Sequence, residues 1–586
     1  MTGQGPRAQT GAQSADETRS ADETQSEAQS QAQAQAQALA DAAAGAISAG
    51  LAAGRIGAVE AAAALASALA RTTGGAERAR TLLREYAAIA AGRSAVAPAR
   101  GDSRFADRAW TDNPVYRRIG QGYLATAQAI TDAVDAADLD WRRAAQARFA
   151  AGILTSALAP TNTLPGNPAA CRRALDTGGL SLVRGARNMA ADARAGLRTP
   201  RQADTRPFRL GDNVAATPGA VVFRNEVVEV IQYAPATRSV RTVPLLIVWS
   251  LINRFYVLDL APGRSFIEYA VGQGIPVFVT SWRNPGRRHA DWDLDTYAAA
   301  LIDAIEAVRQ ITGSEQVGTM GLCAGGQLLA ALLAVLAGRG DDRIRYACFG
   351  VSQLDMSEPS PAGMAFSRPV PGLARLGTRA AGLVDGRDLA AMFSWLRPDE
   401  LVWSYWVNNY LMGADPPAFD ILAWNADATR LPGALQRQLL SIAERNLLAQ
   451  SGGMALLGTG VNLAASAVDS YVIGAQTDHL VPWRGAYRTT QLLGGDATFV
   501  LSGGGHIQHL VNPPGNPKAR YLTGPEPGAD PEAWLAAAQS HQGSWWGHWA
   551  AWVHERSGPL RRAPATLGSR QHPPGEPAPG SYVRQR

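Results

Sequence analysis

The sequence predicts an α/β protein, with a mostly parallel sheet covered on both faces, an inserted helical cap and a helical N-terminal region. Three observations carry this. After residue 214, short apolar runs such as "TVPLLIVWSL" and "PVFVTSW" alternate with stretches of helical spacing. Over 354–466 the alternation stops, and a long helical, aromatic stretch intervenes. It resumes with "SYVIGAQ" and "ATFVLSG". The expected organisation is therefore a tail over 1–92, a helical domain over 93–213, a core from 214–353 and 467–586, and a cap over 354–466.

Each element has its own reason. Residues 1–36 are low in complexity, with "SADET" twice and then "QAQAQAQA". Such a segment has too little apolar bulk to offset ordering entropy, so disorder is expected. Alanine dominates 39–92 and favours helix, read either as a frayed helical hairpin or as an amphipathic arm. Ile119, Tyr123, Ala127, Ile130 and Val134 step by fours and threes, which predicts an amphipathic helix. "AVVFRNEVVEVIQY" alternates as an antiparallel hairpin does. Leu294, Tyr297, Leu301, Ile305 and Val308 mark a helix that Asp293 can cap. "SWWGHWAAWVHERSG" predicts a helix laid on the core.

Composition excludes several classes. The chain has 586 residues, 46% of them hydrophobic, enough for a sizeable core. Its net charge is +5, and Lys518 is the sole lysine. No basic patch is interleaved with aromatics, so nucleic acid is not an expected partner. Cys171, Cys323 and Cys348 are too few and too odd in number for a disulfide framework, which suits a reducing compartment. No Cys/His cluster has zinc spacing, and no metal or cofactor is expected. The start lacks the pattern of a signal peptide, and the alanine-rich stretch is broken by Asp41, Arg55 and Glu60. A cytoplasmic protein without a transmembrane segment is expected.

The chemistry centres on "EQVGTMGLCAGGQLLAALLAV". A strand, "VGTM", leads through G-x-C-x-G into a helix, with Gly321 and Gly325 flanking Cys323. Small residues there let the chain turn sharply and present a nucleophile, as in the α/β-hydrolase fold. The plainer reading is a free cysteine packed at a tight turn. That fold orders its partners as nucleophile, acid, histidine. Asp478 follows "SYVIGAQ", and His506 follows "ATFVLSGGG". Both lie just past predicted strands, where the crevices of parallel sheets form. His479 and His509 are the rival histidines. A thiolate beside an imidazole attacks carbonyls near neutral pH. Exchange of an acyl group from a thioester onto cysteine is nearly thermoneutral and keeps the group activated. The Ala324 N–H is the expected first oxyanion donor, and a second is expected from the Trp249–Leu251 loop around Ser250.

The sequence resembles the polyhydroxyalkanoate synthases, especially their class II branch. The blocks that carry the resemblance include "DNPVYRRIGQGYLA", "LAPTNTLPGNP", "LINRFYVLDL", "GLCAGGQ", "YWVNNYL", "PPAFDILAWNADATRLP", "DHLVPW" and "GGGHIQHLVNPPGNPKARY". They run in order from about residue 105 to the last residues. The resemblance implies that Cys323 carries a growing polyester as a thioester and that His506 is the general base. Asp478 would orient His506 or help to activate the 3-hydroxyl. It implies (R)-3-hydroxyacyl-CoA as substrate, CoA as released product, and a homodimer on the surface of polyester granules. Trp424 matches a family tryptophan associated with the cap and subunit contact; Trp483 and His479, in "DHLVPW", are further substrate or cap candidates. Two departures stand out: Ala324 replaces the usual serine, which leaves the backbone N–H intact, and "WSL" replaces Pro-Pro-Gln at the oxyanion loop. A cysteine-nucleophile thioesterase or esterase of the same fold, and an inactive granule-coating protein, are the alternatives.

Overall fold

The structure is a computed structural model that describes residues 74–137, 139–358 and 382–586. The expected tail up to residue 73 and the part of the cap over 359–381 lie outside the described residues. The chain forms two compact units, one reaching to Leu182 and the other beginning at Val183.

The first unit is helical, with α1 (Gly75–Ala90), α2 (Pro114–Asp135), α3 (Trp141–Ala157) and α4 (Pro168–Asp176). Proline at the first position of α2 and of α4 presets the helical φ, and an asparagine before it caps the orphan N–H groups. Asn113 Oδ1 accepts from Val115 N at 2.9 Å, and Asn167 Oδ1 from Ala170 N at 3.0 Å. The connector "LAPTNTLPGNP" is tied by Asn162 Nδ2 donating to Ser156 O and Asn167 Nδ2 to Thr161 O, both at 2.8 Å. Tyr86 of α1 meets Thr126 of α2 at 2.5 Å.

The second unit is built on ten strands: β1 (Gly219–Arg224), β2 (Val228–Tyr233), β3 (Leu245–Val248), β4 (Val277–Trp282), β5 (Val317–Leu322), β6 (Ile344–Gly350), β7 (Ser470–Ala475), β8 (Ala497–Ser502), β9 (Arg520–Thr523) and β10 (Gln539–Gln542). Their spatial order is β1-β2-β4-β3-β5-β6-β7-β8-β9-β10. The six central strands, β4 to β8 in that order, are parallel; the two at either edge are antiparallel. The hairpin expected at "AVVFRNEVVEVIQY" is β1–β2, and Asn225 Oδ1 closes its turn by accepting from Val227 N and Val228 N at 2.9 Å.

Successive residues of the inner strands point to opposite faces, so both faces must be covered. Leu245, Ile247, Val277 and Val279 pack with Phe266, Trp545 and Trp549 on one face. Leu246, Val248 and Phe278 pack with Leu301, Ile305, Leu328 and Leu332 on the other. The second face is covered by α5 (Leu294–Thr312), started by Asp293 Oδ1 accepting from Thr296 N at 2.9 Å, and by α6 (Ala324–Gly338). The first is covered by α7 (Trp546–Arg556), the tryptophan-rich helix read from the sequence.

Between β6 and β7 the described chain is mainly helical and aromatic. Two π-helical turns, Asp399–Trp403 and Val407–Leu411, flank Ser404–Trp406. Trp395, Trp403, Trp406 and Tyr410 meet edge to face in sequence. After α7, Leu560–Arg562 pairs with Ser239–Arg241, and residues 575–578 then run along the outer edge of β1. Lys518 is exposed in the loop between β8 and β9, where its N–H donates to Asn516 Oδ1 at 2.9 Å. Among the described residues no helix is long and apolar enough to cross a membrane.

Candidate active site

Strand β5 runs straight into Cys323, and α6 starts at the next residue. The Cys323 backbone holds φ 51° and ψ −125°, a strained position for a residue with a side chain. The turn is possible because its neighbours lack a Cβ. One on Gly321 would stand 2.6 Å from Gly326 Cα, and one on Gly325 would stand 2.5 Å from the carbonyl oxygens of Val248 and Trp249. The start of α6 is thus pressed against the end of β3. Cys323 N donates to Gly350 O at 3.0 Å, and the Ser352 hydroxyl lies 3.1 Å from the carbonyl oxygens of both Cys323 and Gly350. Cys323 itself is half-buried.

Asp478 and His506 follow β7 and β8 at the same edge of the sheet, because parallel neighbours end in register: Ala475 is opposite Ser502. His506 Nδ1 lies 2.7 Å from Asp478 Oδ2. The other carboxylate oxygen accepts from Leu480 N at 2.8 Å and Val481 N at 3.0 Å, which fixes the loop. Cys323 is close enough to His506 to favour a proton on its imidazole. Burial works against a charge on His506, but the Asp478 carboxylate and then Cys323 outweigh it and push its pKa up to about 10. Burial likewise opposes the charge on Asp478, yet His506 and the two backbone N–H groups hold its carboxyl below the ordinary value.

The other sequence candidates fall in different places. Ala324 is the first residue of α6, where an N–H has no acceptor within the helix. Ser250 follows β3, is fully buried, and its Oγ has no hydrogen-bond partner. The contact of Gly325 with Trp249 O brings this loop against the turn. Trp424 is buried, its ring 6.4 Å from that of Trp249 at 76°, so it packs behind the loop. His479 feels Arg397 and Glu400 of the inserted segment as well as Asp478 and His506. Burial, then Arg397, lower its pKa to about 4, so it is neutral at pH 7. The rival His509 is fully buried, and burial followed by the charge of His506 lowers it to about 4. Trp483 packs in the core against Tyr487, with Arg484 over its ring. Sequence reading did not single out Ser352 or Arg397, which reach this region only through the fold. Among the described residues no three His, Cys, Asp or Glu side chains are grouped to hold a metal.

A doubly covered parallel sheet with a nucleophile turn after β5, and an acid and a histidine after later strands, defines the α/β-hydrolase class. The family model described as the alpha/beta hydrolase fold matches residues 259–513, and that of the poly-beta-hydroxybutyrate polymerase (PhaC) N-terminus matches 101–270. Poly(3-hydroxyalkanoate) polymerase 2 of Ectopseudomonas oleovorans is 45% identical over 83% of this chain and 87% of its own. Polymerase 1 of that organism is 42% identical over 84% and 88%. The poly(3-hydroxyalkanoate) polymerase subunit PhaC of Cupriavidus necator is 39% identical over 86% of each chain. The chain belongs to the poly(3-hydroxyalkanoate) polymerase family, and it is an acyltransferase.

Proposed function

We propose that the protein polymerises (R)-3-hydroxyacyl units from their CoA thioesters, releasing CoA, through an acyl thioester on Cys323. The observation that carries this is Cys323 held at a strained strand-to-helix turn, with His506 near enough to feel it and Asp478 2.7 Å from His506 Nδ1. Asp478 holds Nδ1 of His506, which leaves Nε2 to take the thiol proton. The sulfur then adds to the thioester carbonyl, and the oxyanion is met by the Ala324 N–H and by the loop around Ser250. The CoA thiolate leaves, takes the proton back from His506, and the acyl group stays on sulfur. In the next step His506 takes the proton of a 3-hydroxyl, whose oxygen attacks the acyl-cysteine carbonyl; the C–S bond breaks, the Cys323 sulfur leaves and recovers the proton from His506, and the new ester lengthens the chain. A thiol suits this cycle because each acyl-enzyme is as activated as the substrate that formed it.

The substrate, the absence of a cofactor, and a cytoplasmic homodimer at the granule surface are parts of the same reading. Leu175 at 82% and Leu180 at 64% exposure, on the first unit, offer apolar surface to a polyester. The test is to incubate purified protein with 3-hydroxybutyryl-CoA and with 3-hydroxydecanoyl-CoA. Free CoA together with polymer is expected, and Cys323→Ala should bring CoA release to background. CoA and free hydroxy acid without polymer would mean a thioesterase instead.

A further inference from the structure

Arg254 follows the oxyanion loop and carries a guanidinium that is only 2% exposed. A buried cation with five N–H groups must find acceptors. Asp427 Oδ1 stands 3.0 Å from its Nε, as an ion pair without hydrogen-bond alignment. The other two partners come from the last stretch of the sequence. Nη1 donates to Tyr582 O at 3.3 Å and Nη2 to Gln585 O at 2.6 Å. That stretch is itself anchored. The Glu229 side chain, with no exposure, accepts from Ser581 N at 3.2 Å and from Tyr582 N at 3.0 Å. Arg586 Nη1 donates to Asp427 at 2.8 Å, and Arg430 Nη2 to Arg586 O at 2.7 Å.

From Arg254 a short path leads to the nucleophile turn. Its carbonyl accepts from Trp424 Nε1 at 2.8 Å, and the Trp424 ring packs on Trp249. Trp249 Nε1 donates to Asn253 O at 3.1 Å and closes the loop. Trp249 O accepts from Trp282 Nε1 at 2.8 Å, and the same oxygen bounds Gly325 of the turn. Beneath the loop lies a cavity of about 10 Å³, space for one water, lined in part by Leu251, Asn253, Thr429 and Val583. Ser281 and Trp282 at the end of β4 line the same cavity, so the loop meets the sheet on one side only, and on the other its position depends on the groups that hold its two ends.

We infer that residues 580–586 form a strap that positions the oxyanion loop, with Arg254 as the positioning residue between them. This rests on the proposal that the loop around Ser250 stabilises the oxyanion. The strap is distant from Cys323 in function as well as in sequence: it should affect acyl transfer without affecting the thiol–imidazole pair. Lysine cannot fork between two carbonyls while pairing with Asp427, so Arg254→Lys breaks the device with the charge retained.

The experiment compares wild type, Arg254→Lys and a chain ending at Arg584. Two rates are read: single-turnover CoA release from 3-hydroxyacyl-CoA, and alkylation of Cys323 by iodoacetamide. Alkylation forms a C–S bond and expels iodide, with no oxyanion. The expected result is a fall of about 10- to 100-fold in CoA release, in kcat rather than KM, with alkylation unchanged. Wild-type CoA release in either variant would overturn the inference, as would a parallel fall of both rates, which would mean a general loosening. If Arg254→Lys does not fold, the shortened chain decides by the same two rates. Cys323→Ala separates the layers. If it still releases CoA, the acyl-cysteine reading fails and takes the strap with it. If it is inactive while Arg254→Lys is unimpaired, the strap alone fails.

Discussion

Asp478 divides its two oxygens, one holding the His506 ring and one holding its own loop, so a single substitution uncouples charge from shape. Asp478→Asn keeps the size and can still accept from the loop N–H groups, but removes the charge that raises His506. The proton affinity of folded His506 lies above its ordinary 6.5, so its contribution to stability is full below pH 6.5 and is lost as pH rises through about 10. The carboxyl of Asp478 is held below 3.8, so its contribution is lost as pH falls through that lowered value. The wild-type melting temperature should therefore fall more steeply between pH 6.5 and 10 than that of Asp478→Asn. Parallel profiles would show that the pair does not stabilise the fold. Cys323, Asp478 and His506 could be singled out in the sequence because each lies just past a strand that reads as an apolar run. His506 is preferred to His479 and His509 from its place after "ATFVLSGGG" and from the family blocks, and its Nδ1 lies 2.7 Å from Asp478 Oδ2. Trp483 was singled out by its motif, and its packing against Tyr487 is the ordinary use of a large apolar ring.

At the scale of elements, the junction of β3, β5 and α6 tolerates no added atom. Gly325→Ala would drive a Cβ into two backbone oxygens that cannot move without moving β3. A loss of about 1–3 kcal/mol is expected in urea unfolding, with CoA release lost together with it. Gly152, exposed within α3 and with nothing within 4 Å of an added Cβ, is the control. Gly152→Ala should stabilise by about 0.5–1 kcal/mol, because alanine gives up less backbone freedom on folding. A destabilised Gly152→Ala would show that this helix is not where the structure has it. The inner strands and the capped helix over Leu294–Thr312 were readable from the chain. The outer strands Arg520–Thr523 and Gln539–Gln542 were not, since polar edge strands carry neither an apolar run nor a buried face. The π-helical turns were invisible for another reason: their spacing departs from the 3.6-residue period by which helices are recognised.

Across the second unit, contacts between distant parts of the sequence hold the edge of the sheet. Glu229 sits in an early strand, yet its acceptors are filled by Arg224 beside it and by Ser581 and Tyr582 from some 350 positions away. No local pattern could announce such a partnership. Glu229→Gln removes a buried charge that Arg224 and three donors rely on. A loss of about 3 kcal/mol is expected in thermal unfolding, with faster trypsin cleavage after Arg584. Unchanged cleavage would mean that other contacts suffice. Lys518 offers a different kind of consequence. Being the one lysine, and exposed, it allows a single dye or tether to be coupled at a known spot between β8 and β9. Individual molecules could then be oriented on glass and watched one at a time.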